Sequence, residues 1–115
     1  MLPELFFKAL ADSTRMRALA LIADAGELCV CELTHSLEVS QPKISRHLAQ
    51  LREANVVQDR RAGLWIYYSL HPELPAWARA ALTSTLQGIG EQSPFAADRL
   101  RLQRMTDRPR TARCA

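Results

Sequence analysis

Cys29 and Cys31, one residue apart in Glu27-Leu28-Cys29-Val30-Cys31-Glu32-Leu33, are the side chains best suited to chemistry in this chain of 115 residues. Thiolates are strong nucleophiles and soft ligands, so such a pair selects thiophilic centres or oxidants over hard ions. Shortly after it runs Ser40-Gln41-Pro42-Lys43-Ile44-Ser45-Arg46-His47-Leu48, which reads as a DNA-recognition helix. An ion or oxidant captured by the first segment would disturb the second, the layout of a chemical switch on DNA binding. A further cysteine, Cys114, leaves at least one thiol unpaired. A pair two positions apart is poorly placed to tie a domain together, so free, reactive or metal-binding thiols in a reducing compartment are expected. On an ideal helix such residues point about 200° apart, and both sulfurs grip one atom only where the first turn is non-helical or unwinds.

The elements that must position these residues follow from periodicity. Leu2 to Leu10 repeats apolar residues at helical spacing. Asp12 is placed as an N-cap for a second helix, with Met16, Leu19, Ala20 and Ile22 to Ala23 turned inward and Gly26 as its stop. A short helix is expected from about Cys31 to Leu37. After Glu38-Val39 another opens, with Ser40 as N-cap and Pro42 in its first turn, and runs to about Ala54. In it Ile44, Leu48 and Leu51 form the buried stripe, while Arg46, Gln50 and Glu53 project oppositely. Val56 to Arg60 and Leu64 to Leu70 read as strands joined by Arg61-Ala62-Gly63, a basic hairpin or wing, with Trp65, Tyr67 and Tyr68 each turning one face to the core. Helical periodicity returns from Pro75 to Leu86 and from Pro94 to Met105, and Thr106 to Ala115 is expected as a disordered tail. The fold class is therefore mainly α with a small β-hairpin: a winged helix-turn-helix, dimeric. Residues 1–90 form its DNA-binding and dimerisation domain, and 91–115 a C-terminal helix and basic, flexible tail.

The net charge of +3 lies entirely in residues 91–115, where six arginines face three acids; residues 1–90 balance nine bases against nine acids. Local clusters, not global charge, must carry any case for nucleic acid. Gln41, Ser45, Arg46 and Gln50 are the candidates for base edges, and Lys43, Arg52, Arg60 and Arg61 for phosphates. Arg15 is assigned instead to carbonyls or acids near the helix ends. The longest aliphatic stretch, Ala18 to Ala23, is far short of the roughly 20 residues a membrane span needs. The N-terminus lacks the basic region and cleavage site of a secretory signal, so a cytoplasmic protein is expected.

From about Leu10 to Trp77 the chain resembles the ArsR/SmtB family of winged-helix repressors, in its arsenic-responsive branch. The resemblance rests on Leu10-Ala11-Asp12-Ser13-Thr14-Arg15, the two segments quoted above, Leu51-Arg52-Glu53, Asp59-Arg60-Arg61 and Trp65-Ile66-Tyr67-Tyr68, in order and at the right separations. It implies a homodimer that holds operator DNA and releases it when trivalent arsenic or antimony binds Cys29 and Cys31. A third cysteine that better-known members carry is here Thr34, and no histidine follows His71 to build the family's other metal sites. Trivalent arsenic generally takes three thiolates and a methylated trivalent arsenical two. Cys114 is a candidate third ligand, and a stray exposed cysteine is as plausible a reading of it.

Three rival readings stand beside this one. A thiol redox sensor on the same fold would oxidise Cys29 and Cys31, or either with Cys114. A thiol-dependent reductase has little support, since the chain holds no Cys-x-x-Cys, no phosphate-cradling loop and no nucleophile beside a placed base, and no enzyme is expected. A DNA-binding module without sensing would follow if the cysteines were inert core residues.

Overall fold

The computed structural model describes residues 1–109. In chain order it contains α1 (Pro3–Leu10), α2 (Ser13–Ala25), β1 (Glu27–Cys29), α3 (Val30–Leu37), α4 (Gln41–Glu53), β2 (Val57–Ala62), β3 (Trp65–Leu70), α5 (Ala76–Ile89) and α6 (Phe95–Gln103). Asp12 caps α2 as expected, its carboxylate accepting the Arg15 N–H at 3.0 Å. Gly26, at φ 89°, ends the helix in a conformation that favours glycine. Ala23 faces solvent rather than the core; Ala18 and Leu21 are buried in its stead.

The strand β1 was not expected. It pairs antiparallel with β3, Glu27 opposite Ser69 and Cys29 opposite Tyr67, so the hairpin becomes a sheet in the order β1-β3-β2. Pairing satisfies backbone groups of β3 that a two-stranded wing would leave open. Cys29 therefore has extended backbone, φ −85° and ψ 164°, and serves as N-cap of α3. Helix α3 ends at Glu38 in the left-handed region, and α4 begins at the Ser40 N-cap, where the serine side chain makes no capping bond.

The stripe of α4 is as the periodicity requires: Ile44, Leu48 and Leu51 are at most 1% exposed, packed in one core with Leu19, Ile22 and Leu33. Burial of such side chains contributes about 1.5–3 kcal/mol each relative to exposure. Helices α2 and α6 both hold the end of α3 through arginines. Arg17 Nη2 donates to the Leu37 carbonyl at 2.9 Å and Arg101 Nε to that of Ser36 at 2.6 Å. These carbonyls end α3 and have no intrahelical partner, so cations are favoured there. Asp98, 1% exposed, joins both arginines, accepting Arg17 at 2.7 and 2.8 Å and Arg101 at 2.7 Å. Its carboxylate is the largest cause holding the Arg17 guanidinium above its ordinary pKa, against desolvation.

Candidate functional site

The extended-to-helical junction between β1 and α3 is what brings the sulfurs together. Because Cys29 is not helical, its side chain escapes the divergence of two positions in an ideal turn, and Cys29 and Cys31 are joined by a disulfide with their Cα atoms 5.4 Å apart. Free thiols were expected here. The bond closes over Val30 alone, so it constrains this junction and links no separate parts of the fold. Cys29 is 1% exposed, while Cys31 is half-buried.

Glu32 supports the junction from within. Fully buried, it accepts the Cys29 backbone N–H at 2.9 Å with Oε1, one half of a capping box, and the Arg108 Nε at 2.6 Å with Oε2. The ion pair keeps a buried carboxylate from standing uncompensated. It also corrects the expectation for the start of the tail: Arg108 is bound and Pro109 is buried. Cys114, Arg110 and Arg113 lie outside the described residues. Among those described, no group of three His, Cys, Asp or Glu side chains is placed to hold a metal ion. Thr34, one turn beyond Cys31, donates its hydroxyl to the Val30 carbonyl at 2.8 Å, and His35 is exposed.

Over the cysteines lies a groove of about 530 Å³ between α3 and the hairpin turn, walled by Val30, Leu64, Trp65 and Ile66. Leu64 is 93% and Trp65 43% exposed. Trp65 thus leans over the cysteines instead of entering the core, unlike Tyr67 and Tyr68, which are buried. The register explains it: Trp65 pairs with Ala62 beside the hairpin turn, where it lines the open groove instead of the closed core.

The residues considered for DNA contact divide by what already holds them. Gln41, Lys43 and Arg46 are exposed on α4, Ser45 is half-buried, and Arg61 is exposed on β2. Gln50 instead accepts Arg15 Nη1 at 2.7 Å, and Arg52 pairs with Asp59 at 3.0 Å. Arg60 grips Glu27 through two bonds of 2.6 and 2.7 Å and lies 4.8 Å over the Tyr67 ring. Arg15 is structural, as expected. Its Nε donates to the Ala9 carbonyl at 2.5 Å and its Nη1 lies 3.3 Å from His47 Nδ1, tying the end of α1 to α4. What sequence reasoning missed is the neighbourhood of the cysteines: Glu32, Arg108, Leu64 and Trp65. The acid following Cys31 was a possible signal, because a carboxylate three positions after an N-cap is the capping-box pattern.

Among the described residues no helix is long and apolar enough to cross a membrane. The sequence profile of the bacterial regulatory proteins of the arsR family matches residues 12–59. The arsenic resistance transcriptional regulator ArsR1 of Pseudomonas putida is 57% identical over 109 residues, 95% of this chain and 84% of its own. Among solved structures, HlyU from Vibrio cholerae aligns with TM-score 0.66 and 31% identity over 73% of this chain and 87% of its own. The AntR antimony-specific transcriptional repressor aligns with TM-score 0.64 and 28% identity, covering 76% of this chain and 77% of its own. A winged helix-turn-helix, with 57% identity to such a relative along 95% of its length, places this chain in the ArsR family of transcriptional regulators.

Proposed function

We propose that this protein is an arsenic-responsive transcriptional repressor that binds operator DNA as a homodimer and lets go when trivalent arsenic or antimony binds Cys29 and Cys31. The observation carrying the proposal is the convergence of the two sulfurs at the strand-to-helix junction, on the helix that precedes α4. Relatives named for arsenic resistance and antimony repression support the choice of ligand. Arsenic exchanges its hydroxyls for thiolates, so the active form is the reduced pair. Base contacts are assigned to Gln41, Ser45 and Arg46, and phosphate contacts to Lys43 and Arg61. The dimer is assigned to the apolar face of α1 with α5, where Leu5, Phe7 and Trp77 are 52%, 53% and 42% exposed. Two copies across a two-fold axis would set their α4 helices about 34 Å apart in successive major grooves. Cytoplasmic location follows from this role.

The test is release from DNA measured by fluorescence anisotropy with reduced protein. Cys29→Ser and Cys31→Ser should each bind operator like wild type and remain bound when arsenite is added. Coupling of about 1–3 kcal/mol predicts 5- to 150-fold weakening for wild type under the same conditions. Release of either variant at wild-type arsenite levels refutes the site. The disulfide itself favours a second reading, a redox sensor: the oxidised pair has no thiolate to offer arsenic, and peroxide alone would then alter operator affinity. Cys114 as third ligand is tested by counting sulfurs around bound arsenic in wild type and Cys114→Ser.

A further inference from the structure

We infer that the groove over Cys29 and Cys31 is a subsite for the carbon substituent of a trivalent organoarsenical, whose arsenic the two thiolates hold. The inference rests on the proposed inducer site and adds a ligand class and the residues that select it. Both sulfurs line the same groove as Val30, Leu64, Trp65 and Ile66, so a group attached to arsenic projects onto an apolar wall. The volume of about 530 Å³ lies within the range of small-molecule sites, roughly 300–1,000 Å³. Arsenic bearing one carbon has only two exchangeable positions, which matches the two sulfurs. The position one turn on, Thr34, is committed to the Val30 carbonyl. Thr34, His35 and Gln41 also line the groove, but no carboxylate or ammonium does and most of its surface is apolar, so a methyl or aryl group on arsenic leaves water there where the free hydroxyl of arsenite gains little.

The chemistry balances as follows. A low-molecular-weight thiol first opens the Cys29–Cys31 bond, two molecules of it becoming their own disulfide while the pair gains two electrons and two protons. The reduced pair then meets an arsenical with one carbon and two hydroxyls. Two As–O bonds break, two As–S bonds form, and each thiol proton leaves with a hydroxyl as water. Arsenic stays trivalent throughout. The substituent then lies between α3 and the turn of the wing, beside Gln41 at the start of α4.

The experiment is direct calorimetric binding of arsenite, methylarsenite and hydrated phenylarsine oxide to the full chain, reduced with a phosphine that is then removed. Burial of a phenyl ring corresponds to about a 10- to 100-fold advantage over arsenite, with methyl between. Leu64→Ser, at a position 93% exposed and hence harmless to the core, and Trp65→Ala should each cut the phenyl advantage at least severalfold and leave arsenite binding unchanged. Equal affinities for the three arsenicals, or an equal loss for arsenite and phenyl in both variants, would overturn the subsite while leaving the thiol pair as the inducer site. No binding of any arsenical by the reduced wild type would overturn both.

Discussion

Replacing Asp98 with alanine should be among the most damaging single changes in this protein that spare the hydrophobic core. The carboxylate is 1% exposed and accepts from Arg17 and Arg101 at 2.7–2.8 Å, while those arginines hold the Leu37 and Ser36 carbonyls. Removing one member of a buried ion pair costs about 3–5 kcal/mol, because the remaining charge keeps its desolvation and loses its partner. Arg17 and Arg101 are 17% and 31% exposed at the side chain and regain some water, so the lower end, about 3 kcal/mol, is expected. In thermal unfolding at fixed protein concentration this reads as a fall of about 10–15 °C in Tm. Asp98→Asn, which keeps an acceptor, should lose less. A double-mutant cycle with Arg17→Met isolates the pair and should return more than about 1 kcal/mol of coupling. Additive effects, or an Asp98→Ala loss below about 1 kcal/mol, would show that the arginines hold α3 without the carboxylate and that the clamp is misassigned.

Three other substitutions test the geometry. Asp12→Ala removes the cap of α2 and should cost about 1 kcal/mol in urea denaturation at neutral pH. Burial favours the neutral form of Asp12, but the Arg15 N–H, the charges of His47 and Arg15 and the Thr14 N–H together hold its pKa below the ordinary 3.8. Its stabilisation is thus present above 3.8 and lost as pH falls through the lowered folded value, so the gap between wild type and variant should close in acid; a gap constant down to pH 2 contradicts it. On DNA, Arg61→Ala should lower the salt slope of binding by about 1, while Arg60→Ala should leave it nearly unchanged, because Glu27 already neutralises that guanidinium. Equal slopes in the two variants would mean that Arg60 leaves Glu27 for phosphate.

The helix-turn-helix was legible because α4 carries a period long enough to read, Ile44, Leu48 and Leu51, and the wing because β3 is rich in aromatic and β-branched residues, Trp65, Ile66, Tyr67 and Tyr68. What was not legible depends on partners distant in sequence. Glu27-Leu28-Cys29 is too short to show an alternation, and it becomes a strand only because β3 offers it an edge. That pairing sets Glu27 beside Arg60, thirty-three positions away, so that in the free protein the expected phosphate ligand is bonded to a carboxylate. Gln50 likewise accepts a hydrogen bond from Arg15, thirty-five positions away. Trp65 is an aromatic strand residue of the kind that usually packs inward; only its place at the hairpin tip, opposite Ala62, puts it outside. Arg108 belongs to a segment whose composition resembles a tail, and it is ordered by one buried carboxylate seventy-six positions away.

The position of Cys29 explains how so small a site could reach DNA. The residue ends β1 and caps α3, so its backbone belongs to the wing sheet and to the helix-turn-helix at once. Through the sheet it pairs with Tyr67, over which Arg60 lies while bonded to Glu27, two residues before Cys29 on the same strand. Through α3 it reaches α4, and through Glu32 it reaches Arg108. Only Val30 separates the two sulfurs, so whatever draws them onto one atom must adjust that residue or the strand and helix on either side. A densely packed core transmits such an adjustment instead of absorbing it. On the proposed function, a change of the thiol pair acts on the angle between wing and recognition helix, which both halves of a DNA-bound dimer must satisfy together. A modest distortion at each junction is then counted twice against the operator complex.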